Sequence, residues 1–189
     1  MTYGIVIVGV GGQGTLLASK ILGALAVKAN LDVKVSEVHG MSQRGGSVIT
    51  YVRIGENVFS PMIEQGGADV ILAFEELEAL RALPYVKEGG AVVVNEQQIA
   101  PMPVITGTAK YPENPLEKVA EKAKVVSMPA GDIALQLGNV RVMNVVLMGA
   151  LSNHLPFSHE LWVEALKETV PERFMDVNLR AFEAGRKFR

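Results

Sequence analysis

Apolar positions fall along this chain in short blocks, and their spacing changes from block to block. Residues 4–8, Gly-Ile-Val-Ile-Val, form an unbroken run rich in β-branched side chains, the signature of a strand buried on both faces. Residues 15–28 follow as a helix that is apolar nearly all round, which calls for cover on more than one side. Residues 33–38, Val-Lys-Val-Ser-Glu-Val, alternate as a half-buried strand does. Residues 39–46, His-Gly-Met-Ser-Gln-Arg-Gly-Gly, have no helical spacing and read as a glycine-rich loop. A strand over 47–54 comes next, then a turn at 55–57 and a short extended piece at 58–61. The pattern predicts that 47–60 forms a β-hairpin attached to an otherwise parallel sheet.

Beyond that point strands and helices alternate. A strand is expected at 69–74, and a helix from Glu75 to about Leu83 with carboxylates in its first turn, where they favour the helix dipole. Residues 91–94 are a further buried strand. The stretch 99–115 holds most of the prolines and reads as a surface excursion with a short strand at 104–106. A helix at 116–122, a strand at 124–128 and a short helix or turn at 129–137 follow. Three helices close the chain, at 144–154, at 158–169 with Ser158 as N-cap, and at 172–188 with Pro171 at its start. No repeat or low-complexity tract interrupts the series. The expected fold is one α/β domain over residues 1–189, a mostly parallel, doubly wound, Rossmann-like sheet with an added hairpin.

Composition narrows the chemistry. The chain has 189 residues, a net charge of −2 and 20% charged residues, which gives it no electrostatic reason to seek nucleic acid or an anionic membrane. It has no cysteine, so it can supply neither a disulfide, nor a thiol nucleophile, nor thiolates to zinc or an iron–sulfur cluster. The three histidines, His39, His154 and His159, match no metal-binding spacing, and no metal site is expected. The longest apolar stretches, 16–29 and 140–151, are broken by Lys20, Lys28, Arg141 and Asn144, short of the roughly 18 residues of a membrane span. Without a basic leader before the first strand, a cytoplasmic protein is the expectation.

One motif has a context that gives it meaning. Gly9-x-Gly11-x-x-Gly14 lies between a buried strand and a helix, and Gly12, Gln13 and Thr15 complete the turn. Glycines here permit a tight turn, let backbone approach a ligand and let the helix pack close, so that N–H groups point at one spot suited to a phosphate or another anion. The same glycines would equally serve only to close a strand-to-helix turn. Thr15 stands where a P-loop needs lysine, which argues against ATP. Glu37 lies near the place of a ribose ligand in a dinucleotide site, but the loop after it runs into a strand rather than a helix, which disfavours NAD.

The second loop is the less usual of the two. A parallel arrangement of the first two strands places it beside Gly9 to Gly14, at the sheet edge where α/β proteins bind ligands. Ser42, Gln43, Arg44 and Gly45 then join the candidate binding residues, with Arg44 able to pair with a phosphate, a carboxylate or a partner chain. His39 reads as a structural residue, and Glu75 and Glu76 as first-turn carboxylates rather than an acid pair, since adjacent helical residues do not face each other. No nucleophile, base and orienting acid come together in any local signature, so no catalytic residue is expected in this chain.

Taken together, the Gly9-to-Gly14 turn and Glu37-Val-His-Gly-Met-Ser-Gln-Arg-Gly-Gly-Ser-Val48 resemble the gamma-type domain of the 2-oxoacid:ferredoxin oxidoreductases. The wording of the second loop is most similar to the small (beta) subunit of the indolepyruvate branch. Ser60-Pro-Met-Ile63, Glu75-Glu-Leu-Glu-Ala-Leu-Arg81 and the apolar helix Asn144-Val-Val-Leu-Met-Gly-Ala-Leu151 fit the same pattern, and the likeness covers nearly the whole chain. The resemblance implies a subunit of a complex that decarboxylates a 2-oxoacid on thiamine diphosphate, passes electrons through iron–sulfur clusters to ferredoxin and releases an acyl-coenzyme A. It places the thiamine and the clusters on a large (alpha) partner subunit. It makes the first loop and Arg44 candidates for the phosphates of coenzyme A. The first helix is more apolar than a one-sided helix needs, and with the small Ala18, Gly23, Ala24 and Ala26 it is expected either to offer a face to that subunit or to a second copy or to be buried completely within this domain. The alternative left open by the residues is a free-standing nucleotide-binding enzyme or regulator of Rossmann type.

Overall fold

The computed structural model describes residues 2–40 and 46–188. Its elements, in chain order, begin with β1 (Thr2–Val10), α1 (Thr15–Lys28), β2 (Asp32–His39), β3 (Ser47–Gly55), β4 (Ala68–Ala73) and α2 (Glu76–Ala82). They continue with β5 (Val86–Asn95), α3 (Met102–Ile105), α4 (Pro115–Ala120), β6 (Lys124–Met128), α5 (Ala130–Gln136), α6 (Met143–Ser152), α7 (His159–Thr169) and α8 (Met175–Lys187). The strands make one sheet in the order β2-β3-β1-β4-β5-β6. β1, β4, β5 and β6 pair in parallel, and β3 is antiparallel to both of its neighbours, β1 and β2.

The unbroken apolar run of β1 is explained by its central place, where alternate side chains enter opposite cores. Ile5 and Ile7 pack with α1 and α5 to α8, while Val6 and Val8 pack with α2 and α4. α1 is covered by the sheet and by α7, and Lys28 forms an ion pair with Glu168 at 2.9 Å across that contact. Ile21, Leu22 and Leu25 are fully buried, whereas Leu16 and Val27 remain more than half exposed. Ser158 caps α7 through its hydroxyl, which accepts from Leu161 N.

Two local expectations are corrected. The added hairpin joins β2 to β3 and does not lie within 47–60. Both edges of β3 are already taken, by β1 and β2, so the extended residues 58–61 cannot pair with it. Instead, Val58 N donates to Asp32 Oδ2 at 3.1 Å. The stretch expected as a strand at 104–106 overlaps the short helix α3. Pro103 sits in its first turn, where a missing N–H costs nothing, and that outweighs the β-branched Val104 and Ile105. Among the described residues no helix is long and apolar enough to cross a membrane.

Candidate functional site

β1 leads into α1 on one face of the sheet, and its parallel neighbour β4 leads into α2 on the other. The crevice between the C-terminal ends of these two strands is therefore the switch point where open α/β sheets place ligands. The Gly9-to-Thr15 turn sits there. Gly12 (φ 102°) and Gly14 (φ 92°) have backbone conformations that side-chain-bearing residues rarely adopt. Gly14 is also the N-cap of α1. No side chain caps this helix and its first turn carries no carboxylate, so its N-terminal N–H groups and positive dipole end face the turn. Gly9 is buried at the end of β1, where an added Cβ would fall 2.9 Å from Gln13 Oε1.

Gln13 locks the turn to the sheet. Its Oε1 accepts from Val10 N at 2.7 Å, and its Nε2 donates to Phe74 O and to Gln97 Oε1, each at 3.1 Å. Asn95 extends this network, donating to Phe74 O and Gln97 Oε1 and accepting from Ala130 N. Replacing Gln13 by alanine strips the Val10 N–H of its side-chain partner and leaves Phe74 O with Asn95 Nδ2 in place of two side-chain donors. The expected cost is about 1–3 kcal/mol, read as a lower urea midpoint at unchanged slope. An unchanged midpoint would mean the network does not hold the turn.

Two clefts flank the turn. The first, of about 410 Å³, lies toward the hairpin between Gly11, Gly12, Gly14 and Thr15 and the side chains of Glu37, His39 and Val48. The second, of about 480 Å³, lies at the switch point between Gly12, Gln13 and Gly14 on one side and Gln97, Arg141 and Asn144 on the other. Their electrostatics differ. Among the described residues, the hairpin cleft holds the Glu37 carboxylate, whereas the switch-point cleft has no acidic lining residue and holds the cationic Arg141. An anion is favoured in the second. Glu37 accepts from Thr50 Oγ1 at 3.3 Å and sits two strand spacings, roughly 10 Å, from the line of β1, because β3 is inserted between them. That insertion removes the adjacent second strand of a dinucleotide-binding unit.

The first turn of α2 is more than a dipole partner. Glu75 is almost fully buried and caps α2, accepting from Glu78 N at 2.9 Å. Its Oε1 also accepts from Ile99 N (2.9 Å) and Tyr111 Oη (2.5 Å), which pins the proline-bearing excursion against the switch point. Burial and the Glu75 carboxylate push the Tyr111 phenol well above its ordinary pKa. Glu78, buried as well, accepts from Ser47 Oγ and pairs with Arg81, so it fixes the residue that opens β3.

Of the residues picked out from the sequence, Gly11, Gly12, Gln13, Gly14 and Thr15 are brought to these clefts, while Gly9 lines neither. The flanks of the second loop lie alongside: Gly11 N donates to Gly46 O at 2.9 Å, and Val10 is opposite Ser47. Ser42, Gln43, Arg44 and Gly45 themselves fall outside the described residues. Sequence reading missed Gln97, Arg141 and Asn144. The one usable signal was Asn144, a lone amide in an otherwise apolar helix. Among the described residues no group of three or more His, Cys, Asp or Glu side chains could hold a metal ion.

Comparison with known proteins gives a consistent result. The family model described as pyruvate ferredoxin/flavodoxin oxidoreductase matches residues 4–188. The subunit IorB of indolepyruvate oxidoreductase from Thermococcus kodakarensis is 48% identical, over 98% of this chain and 95% of the relative. The common gamma subunit of the pyruvate/ketoisovalerate oxidoreductases of the same organism is 28% identical, over 93% of this chain and 90% of that relative. The solved gamma subunit of a keto/oxoacid ferredoxin oxidoreductase from Geobacter sulfurreducens PCA superposes with a TM-score of 0.70 at 26% identity, covering 97% of this chain and 95% of that one.

Proposed function

The chain belongs to the pyruvate ferredoxin/flavodoxin oxidoreductase family, and from that premise we propose that it is the small subunit of an indolepyruvate-type 2-oxoacid:ferredoxin oxidoreductase. The observation that carries the reading is the split in identity. It is 48% to the indolepyruvate subunit of one organism, against 28% to the pyruvate/ketoisovalerate subunit of the same organism. The complex oxidatively decarboxylates an aryl-pyruvate to an acyl-coenzyme A and passes the electrons to ferredoxin. Thiamine diphosphate and the iron–sulfur clusters reside on a large subunit, in keeping with a chain that has no cysteine to ligate a cluster.

In this reading the small subunit positions rather than reacts. Coenzyme A, when bound, supplies the thiol that takes the acyl group. The residues suited to its phosphates are the backbone N–H groups at Gly12, Gly14 and Thr15, with Arg141 and Asn144 across the switch-point cleft. Ser42, Gln43, Arg44 and Gly45 complete the site from the second loop, whose flanks adjoin Gly11. The exposed Leu16 and Val27 of α1 contribute to the contact with the large subunit. Association is the direct test. Mixed at micromolar concentration with the large thiamine- and cluster-bearing chain, this chain is expected to sediment as one heavier species. Two independently sedimenting chains would contradict the proposal.

A further inference from the structure

Glu75 is a buried carboxylate with no ion-pair partner among the described residues, and three donors answer it. One, Glu78 N, belongs to the helix that Glu75 caps. The other two, Ile99 N at 2.9 Å and Tyr111 Oη at 2.5 Å, come from the two ends of the excursion after β5 and meet on one oxygen, Glu75 Oε1. Leu77 N donates to Tyr111 Oη at 3.1 Å and completes the far anchor. Between the anchors no hydrogen bond ties the chain to the rest of the described residues. Residues 101–109 hydrogen-bond only to one another, chiefly on Pro101 O, Met102 O and Pro103 O. No residue from 99 to 111 is buried, and Met102 and Ile105 of α3 are largely exposed. The segment is a self-bonded knot fastened at a single carboxylate oxygen. The residues just before it are fixed differently, Gln97 by Gln13 and Asn95, and Gln98 by Glu76.

We propose that residues 99–111 are a strap that opens and closes over the switch-point cleft as one unit, with Glu75 Oε1 as its catch. Ile99 is the strap's part of the cleft wall, so opening widens the cleft on that side while Gln97 stays with the sheet. A buried charge must be answered by hydrogen bonds or by water. Closed, the strap supplies two of the three donors to Glu75, and open, water reaches the carboxylate in their place. That exchange keeps the two states close in energy, in a segment with little buried apolar surface, where local opening concentrates. Because both ends close on the same oxygen, freeing one end lets water onto the acceptor of the other. The strap thereby sets how a ligand enters and leaves the cleft. That the ligand is coenzyme A rests on the function proposed above, whereas the strap itself does not.

Amide hydrogen exchange of the full-length chain, followed by NMR, tests it. In the parent chain the Ile99 N–H is expected to exchange at least about a hundredfold faster than the β1 amides of Ile5 and Ile7, which marks opening short of unfolding. Tyr111→Phe removes one hydroxyl and leaves the Ile99 N–H its own acceptor, yet Ile99 exchange is expected to accelerate by about tenfold or more. Glu75→Gln is expected to accelerate it further, and tryptic cleavage after Lys110, exposed within the strap, rises in the same order. Tyr85→Phe removes a phenol hydroxyl elsewhere, the partner of Tyr51, and leaves Ile99 unchanged. Binding of coenzyme A to the immobilised chain separates a gate from a loosened wall. In Tyr111→Phe a gate raises the association and dissociation rates together, whereas a loosened wall raises dissociation alone. No binding by the parent chain would defeat the coenzyme A reading of the cleft, and the exchange rates would still decide the strap. Ile99 exchange unmoved by Tyr111→Phe, Ile99 exchanging only as slowly as the β1 amides, or a rise in dissociation alone would each overturn the proposal.

Discussion

Replacing Gly185 by alanine is expected to lower the melting temperature by on the order of 10 °C, the largest effect of any single methyl added to this chain. α6 and α8 approach so closely that backbone meets backbone. A Cβ built on Gly185 falls 1.7 Å from Val146 O, and one built on Gly149 falls 2.0 Å from Phe182 O. Neither obstacle is a flexible side-chain tip, so relief requires the two helices to move apart. That motion would loosen the core around Phe182, Val146 and Trp162, all buried. Overpacking a core costs about 1–3 kcal/mol when side chains can adjust, and a backbone contact sits at or above the top of that range. For a domain of this size each kcal/mol is worth about 2–4 °C. Gly23→Ala provides the contrast, because an added Cβ there meets nothing within 4 Å and the residue lies mid-helix in α1. It is expected to be neutral or to stabilise by up to about 1 kcal/mol. Equal melting of Gly185→Ala and the parent chain would show that the helix contact is looser than described. The contact also matters to the clefts, since α6 carries Asn144 at its first turn.

What the sequence disclosed depended on whether the physics was local. The β1, glycine turn and α1 series was readable because a β-branched run, positive-φ glycines and a helical period each leave a local mark. The second loop was recognisable by wording, and the position of its described flanks, His39 and Gly46, beside the first turn followed from β2 and β1 pointing the same way. The hairpin was misassigned because alternation records that a strand is half-buried, not which neighbour it pairs with. The short helix α3 was missed because β-branched residues suggested a strand while prolines decided otherwise. Glu75 looked like an ordinary first-turn carboxylate. Only the fold brings Ile99 N and Tyr111 Oη to it, from 24 and 36 residues away. The switch-point cleft was hidden for the same reason. Gln13, Gln97 and the Arg141–Asn144 pair come from three separate segments, and no spacing rule connects the three.

The second large effect is all or none. A turn of backbone N–H groups with one arginine nearby can hold an anion, but it has no means of stabilising the carbanion left when a 2-oxoacid loses carbon dioxide, which needs a cofactor as electron sink. Nor can this chain contribute thiolates to a cluster that would carry the electrons away. The most direct measurement is reduction of a viologen dye by indolepyruvate, with thiamine diphosphate and coenzyme A present, for this chain alone, for the large partner alone and for their mixture. The account predicts no reduction by this chain at any concentration and full turnover only in the mixture. Dye reduction by the isolated chain, or an unchanged rate when it is added to the large subunit, would contradict it.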